Sequence, residues 1–392
     1  MHQPHRLREV NVFDVGHADQ SYFSSEKRDE NAEIFRKVSQ KSYKPMLNLL
    51  LELVQNHRGF QCAFSISGVF LEQAEHYDPA VLELIQKLVK TGKVELIAET
   101  YYHSLAALHS PAEFRVQVQK HRHMLQDLFD VTPRVFRNTE LIYSNDIAAQ
   151  IEELGYDAIL TEAVDRYLHG RSKTQLYYSK TEGRTPLLLK HAELSDDIAF
   201  RFSDRNWSSY PLNAEMYADW VEVYPENEIV NLFMDFETFG EHQWEDTGIF
   251  NFWRAVVARL LERSWNKFVT PSEAVATLSS KKESLFDEKV YDVPDPISWA
   301  DVDRDITAWQ DNELQQDTLR QLYGMEETVL SSTDRSVLDK WRNLQTSDHF
   351  YYMCTKWSAD GDVHSYFSPY TSPYEAYRRY CIILADLQEQ LL

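Results

Sequence analysis

Apolar residues recur along this chain in two alternating rhythms, one of helical period and one of short unbroken runs. Residues 43–56 place Met46, Leu49, Leu50, Leu53 and Val54 on one helical face. The run QCAFSI at 61–66 then reads as a buried strand. Pro79–Lys90 is helical, carrying Val81, Leu82, Leu84, Ile85, Leu88 and Val89. Gly92 stops it, and VELIAE at 94–99 follows as a strand. The same alternation predicts a long helix over Pro111–Phe129, a short strand at Val135 and Phe136, a helix over 145–154 and a strand from Tyr156 (YDAILTEA). Residues 229–233 (IVNLF) read as the clearest buried strand. Residues 250–262 read as a helix, and 268–270 as a last short strand with Pro271 in the first turn of the next helix.

Repeated strand–helix units imply a parallel sheet with helices packed outside it, and seven or so such units suggest a closed or nearly closed barrel. The pattern changes at 281–296 (KKESLFDEKVYDVPDP), a polar stretch with two prolines that reads as a boundary. Beyond it, 306–344 is mostly helical and 373–392 is a terminal helix. The expected organisation is a barrel over 1–280 and a helical C-terminal domain over 281–392 packing on it. No internal repeat or low-complexity tract interrupts it.

Composition narrows the possible partners. The 392 residues include 40 Lys plus Arg against 62 Asp plus Glu, a net charge of −22, which argues against nucleic acid and anionic membranes as partners. Three cysteines, Cys62, Cys354 and Cys381, form no CxxC pair, so neither a disulfide scaffold nor a thiolate zinc site is expected. The opening MHQPHRLREV has no apolar core for a secretory signal, and no run approaches a membrane span, so a cytoplasmic location is the expectation. The 22 Tyr, 20 Phe and 9 Trp are compatible with flat stacking surfaces as well as with ordinary core.

In parallel-sheet proteins functional side chains gather at the carboxyl ends of strands. After Val135 and Phe136 comes RNTELIYSND, which puts Glu140 just past a strand among Arg137, Asn138 and Tyr143. After 229–233 comes MDFETFGEHQW, with Asp235 at the strand end and Glu237, Gly240, Glu241, His242 and Trp244 beyond it. After the strand at 94–99 come Glu99 and His103, and the chain itself opens with His2, Gln3 and Pro4. Two carboxylates from different strands, ringed by amides and aromatics, are the minimal apparatus for cleaving a glycosidic bond. One attacks the anomeric carbon; the other gives a proton to the leaving oxygen and takes one from water. Taken alone, each acid is more often a turn residue, a helix-cap partner or a solvated charge than a catalytic group.

These residues resemble glycoside hydrolase family 57, the α-amylase-like retaining family, over nearly the whole chain. His2-Gln3-Pro4 is similar to that family's first motif. Gly92-Lys93-Val94-Glu95, running on through Glu99 to Tyr101-Tyr102-His103, is similar to its second. Asn138-Thr139-Glu140-Leu141-Ile142-Tyr143 resembles the third, whose glutamate is the family's nucleophile. Met234 to His242 resembles the fourth, whose leading aspartate is the general acid/base. The resemblance thus implies Glu140 and Asp235 as catalytic pair, with His2, Gln3, Glu95, Glu99, His103, His242 and Trp244 binding substrate. LSDDIAFRF at 194–202, which contains Asp197, and SDHFYYM at 347–353 look like signatures of an intracellular α-amylase subgroup. From the helical region Trp299, Asp301, Asp348 and His349 are candidates to close over the cleft, or to hold the cap on the barrel.

The fold so implied is an incomplete (β/α)7 barrel followed by a helical region. The implied substrate is an α-glucan or malto-oligosaccharide, cleaved without a metal or other cofactor. In relatives an apolar strand precedes the first motif. Here only Met1 does, so the first barrel strand is expected to be absent, shortened or completed differently. The stretch before Phe268-Val269-Thr270-Pro271 supplies no obvious catalytic group for a fifth motif. Three other readings stand beside hydrolysis. They are glucan transfer or branching at the same site, glucan binding with impaired catalysis, and a metal-dependent deacetylase or mannosidase using His2, Asp14 or His17, and His103.

Overall fold

The computed structural model describes residues 1–16, 21–23, 29–226, 228–279, 287–300, 302–356 and 368–392. His17, Asp301 and residues 281–286 of the expected boundary lie outside this set. The fold is an incomplete (β/α)7 barrel with a helical region after it. Strand β1 (Cys62–Ser65) pairs in parallel with β2 (Val94–Ile97). A single bridge from Ala98 to Phe136 carries the arc to β3 (Val135–Arg137), which pairs in parallel with β4 (Ala158–Glu162). Next comes β6 (Pro186–Lys190), whose far side takes β5 (Tyr177–Ser179) antiparallel, and β5 in turn takes β7 (Val290–Tyr291).

Local chemistry sets the element ends. Pro79–Lys90 and Pro111–Phe129 both start with proline in the first turn, where its missing N–H goes unneeded. Ser110 caps the second of them by accepting from the Glu113 N–H, and Asp130 in a left-handed conformation ends it. The helix expected from residue 43 runs over Lys44–Asn56 and follows a π-turn at Ser39–Tyr43. Its apolar face (Met46, Leu49, Leu50, Leu53) packs in one core with Val81, Ile85 and Leu88, the buried face of the next helix.

Two expected strands are corrected. Residues 229–233 make only one bridge, Lys190 to Asn231, and Ile229, Val230, Leu232 and Phe233 are half-buried. This segment has β6 on one side and a large cavity on the other, and it meets β6 at that one bridge, where Asn231 also donates its side-chain amide to the Leu189 carbonyl at 2.9 Å. Residues 268–270 reach another segment by one backbone bond, from Phe268 N–H to the Gly59 carbonyl, and Thr270 caps the helix Pro271–Ser279. Conversely, β5, β6 and β7 went unforeseen. Met1 lies beside the end of β1, donating to the Ser65 carbonyl at 2.7 Å and accepting from Ser67 N–H at 3.2 Å. No helix among the described residues is long and apolar enough to cross a membrane.

Candidate active site

The carboxyl ends of β1, β2 and β3 converge on one wall of a cavity of about 1480 Å³, lined by His2, Gln3, His103, Glu140, Asp235, His242, Trp299 and Asp348 among others. Glu140 stands in a tight turn directly after β3. Both it (φ 56°) and Leu141 (φ 53°) are left-handed, an uncommon state for side chains of this size that persists only where the surroundings enforce it. Asn138 bridges the turn by donating to the Ile142 carbonyl at 3.0 Å, and the Thr139 hydroxyl meets that of Thr100 at 2.7 Å.

Three donors reach the Glu140 carboxylate. The Trp299 indole N–H donates to Oε2 at 2.7 Å, while His103 Nε2 lies 3.3 Å and the Ser347 hydroxyl 3.4 Å from Oε1. Burial raises the Glu140 value. The hydrogen bond and charge of His103, with Arg137 behind, outweigh it and leave the group below the ordinary carboxylate range. His103 lies between two acids, with Nδ1 3.8 Å from Glu99. Burial would lower its value, but its hydrogen bond to Glu140 and the nearby charges of Glu99 and Glu140 raise it to about 9. Glu99, wholly buried, also accepts from Ser65 at 2.7 Å and Arg137 at 3.3 Å.

His2 stacks on His103, ring centroids 4.1 Å apart and planes 19° apart. Its Nδ1 meets the Ser67 hydroxyl at 2.7 Å and its Nε2 meets Asp348 at 3.1 Å. Burial, then the charge of His103, lowers His2, so a neutral ring lies on a cationic one. Burial raises Asp348, but the His2 hydrogen bond outweighs it and brings the carboxyl down to about 2.

Asp235 is exposed at the end of the segment 229–233 and lines the same cavity as Glu140. Its loop folds back through Gly240, whose N–H donates to the Gln243 carbonyl at 2.8 Å.

The remaining candidates fall outside the cavity wall. Glu95 sits at the opposite end of β2 and accepts from the Ser272 N–H at 2.9 Å, capping the helix Pro271–Ser279. Asp197 is buried in the π-turn Asp197–Arg201 and holds Arg201 at 2.6 Å. Trp244 is 56% exposed with the Lys41 ammonium 4.9 Å over its ring, and His349 is buried beside Tyr380. Asp14 is exposed in a short turn, and no three His, Cys, Asp or Glu side chains among the described residues are arranged to hold a metal ion. Ser67, Ser347, Lys190 and Arg304 were not foreseen; the signal for Ser67 was its place just after the run CAFSI, at a carboxyl strand end.

Residues 1–294 match the family model for glycosyl hydrolase family 57. The chain belongs to that family. A protein of Methanocaldococcus jannaschii named "Putative alpha-amylase" is 40% identical over 398 residues, covering 99% of this chain and 82% of its own. Among solved structures, a family 57 branching enzyme from Thermococcus kodakaraensis superposes with a TM-score of 0.68 at 14% identity, covering 98% of this chain and 87% of that one. The 4-alpha-glucanotransferase of Thermococcus litoralis gives 0.66 at 15% identity over 81% of this chain, which spans 53% of that protein. At such identities these two structures speak for the shared barrel fold alone.

Proposed function

We propose that this family 57 chain is a retaining enzyme cleaving α-1,4 bonds of α-glucans, with Glu140 as nucleophile and Asp235 as acid/base. One observation carries the reading: a half-buried carboxylate paired with a cationic histidine, facing the same cavity as an exposed aspartate. In the first step a Glu140 oxygen bonds to the anomeric carbon as the bond to the leaving oxygen breaks, and Asp235 gives that oxygen its proton. In the second, Asp235 takes a proton from water, the water oxygen bonds to the anomeric carbon, and the electron pair returns to Glu140. His242 would meet a sugar hydroxyl beside the cleaved bond, while His2 and His103, whose ring nitrogens face protein partners, hold Glu140 in place. An α-glucan substrate is supported by the family match and by the name of the Methanocaldococcus relative, a putative alpha-amylase.

The test is release of sugar from maltoheptaose by the wild type, Glu140→Ala and Asp235→Ala, with the new anomer followed by NMR. Loss of the acid/base should lower turnover by about 10²–10⁴-fold, and loss of the nucleophile by at least as much. Undiminished activity in either variant, or a β-anomer from the wild type, ends the assignment. Products longer than the substrate would identify a glucan hydroxyl, in place of water, as acceptor in the second step.

A further inference from the structure

We propose that Trp299 is a positioning residue for Glu140: its indole N–H fixes Oε2, leaves Oε1 to form the glycosyl bond, and stabilises the carboxylate as it departs in the second step. This rests on the reading of Glu140 as nucleophile. The contacts on the two oxygens are unequal. Oε2 carries one short bond from Trp299 at 2.7 Å, and Oε1 carries two long ones at 3.3 and 3.4 Å.

The backbone around Trp299 is built to hold that bond. Ile297 and Tyr143 exchange reciprocal hydrogen bonds at 2.9 and 3.0 Å, and Trp299 N–H donates to the Glu140 carbonyl at 3.3 Å. Asn145 N–H donates to the Val293 carbonyl at 2.8 Å, and Val293 N–H to the Asn145 side chain at 3.0 Å. The segment 293–299 is thereby zipped along the strained turn that carries the nucleophile. Two cations also lie over the indole, the Arg137 guanidinium at 4.9 Å and the Lys190 ammonium at 5.4 Å. Positive charge over the π face draws density from the ring and makes its N–H a stronger donor. Lys190 is itself fixed by Asp196 at 3.0 Å and Glu162 at 3.6 Å, and Arg304 donates to the Trp299 carbonyl. The wholly buried Glu162 thus serves to anchor a cation over Trp299.

The two steps should feel this donor differently. As Oε1 bonds to carbon, Oε2 becomes an ester carbonyl oxygen and loses negative charge. As water displaces the sugar, the Oε1–carbon electron pair returns to the carboxylate and charge on Oε2 grows. A donor fixed on Oε2 therefore favours the second step more than the first.

The experiment replaces Trp299 by phenylalanine and, separately, by β-(3-benzothienyl)alanine, in which sulfur stands where the indole N–H was. The second substitution keeps shape and removes only the donor, so it decides the matter should Trp299→Phe fold poorly. With an aryl α-maltoside of good leaving group, kcat should fall roughly tenfold or more while kcat/KM changes far less, and rapid-quench mass spectrometry should find maltosyl-enzyme on Glu140. The Glu140 carboxyl, titrated by carbon-13 NMR, should move upward. Its other neighbours, His103, Arg137 and Asp348, with Glu99 and His2 behind His103, are unchanged in the variant. A parallel fall in kcat and kcat/KM, or an unmoved Glu140 titration, overturns the proposal. A wild type that leaves the maltoside intact would count instead against the assigned activity, and the titration would still decide the role of Trp299.

Discussion

His103 joins Glu140 to the buried Glu99, and its titration links site and stability. Its value rises from an ordinary 6.5 to about 9 in the folded protein, so folding favours the protonated ring. The resulting stability is fully present below about 6.5 and is lost as the pH climbs through about 9. At about 1.36 kcal/mol for each tenfold gain in proton affinity, it amounts to something on the order of 3 kcal/mol. The depressed values of Glu140 and Glu99 express the same pairing and are not added to it. Thermal unfolding of the wild type between pH 6 and 10 should therefore show a falling Tm across that window. His103→Asn should be less stable at pH 6 and flatter above it; identical slopes for the two proteins would contradict the pairing. The wild type's activity should fall on the same alkaline limb, as Glu140, still ionised there, loses the cationic donor that orients its Oε1.

At the scale of elements, Gly240 shows how tightly the Asp235 loop is docked. Its φ of +107° is one that side chains rarely adopt, and a Cβ there would overlap the carbonyl oxygen of Lys41 in the π-turn Ser39–Tyr43. Gly240→Ala should cost at least about 2–3 kcal/mol in denaturant unfolding, with loss of turnover as Asp235 shifts. Wild-type-like stability would mean the loop is held less closely than its contacts indicate. Sequence pattern reads helices such as Pro79–Lys90 to the residue, because a proline start and an apolar stripe both mark them locally. It reads 229–233 wrongly, because an apolar run signals burial while a strand also needs a neighbour it follows for several residues, and this segment meets β6 at one bridge only. The strands β5 and β7 are short and pair with each other across more than a hundred intervening residues, and no local rhythm announces that. Site residues follow the same rule. Glu140 and His103 follow carboxyl strand ends, His2 lies in the opening motif and Asp235 ends the one-bridge segment 229–233, and all four line the cavity. Glu95 shares a strand with residues leading to the site but lies at its far end, where a helix needs a cap. Trp299 was legible as an aromatic near the cleft, yet its bond to Glu140 depends on a bridge between Ile297 and Tyr143 that only folding creates.

Across the whole molecule, the helical region supplies part of the site it covers. Ser347 N–H donates to the His103 carbonyl at 2.9 Å, the Thr346 hydroxyl to that of Tyr102 at 2.9 Å, and Asp348 holds His2. These groups follow the helix Arg335–Asn343, which is tied to the barrel helix Pro111–Phe129 by the pair of Arg342 and Glu113 at 2.8 and 3.0 Å. Glu113 is 1% exposed and Arg342 13%, so removing the cation strands an acid in the interior. Arg342→Met should therefore destabilise by about 3–5 kcal/mol, whereas Glu113→Gln with Arg342→Met should recover much of that loss, since no charge is left unpaired. Gln117 and Gln345, joined at 2.8 Å beside the pair, remain to hold the two helices in register. Activity separates two roles for the ion pair. If the double variant regains both stability and turnover, the pair serves only to close the interface. If it regains stability while kcat stays low, the pair also sets the height at which Ser347 and Asp348 meet Glu140 and His2. A single Arg342→Met variant as stable as the wild type would show that the helical region is held on the barrel without this pair.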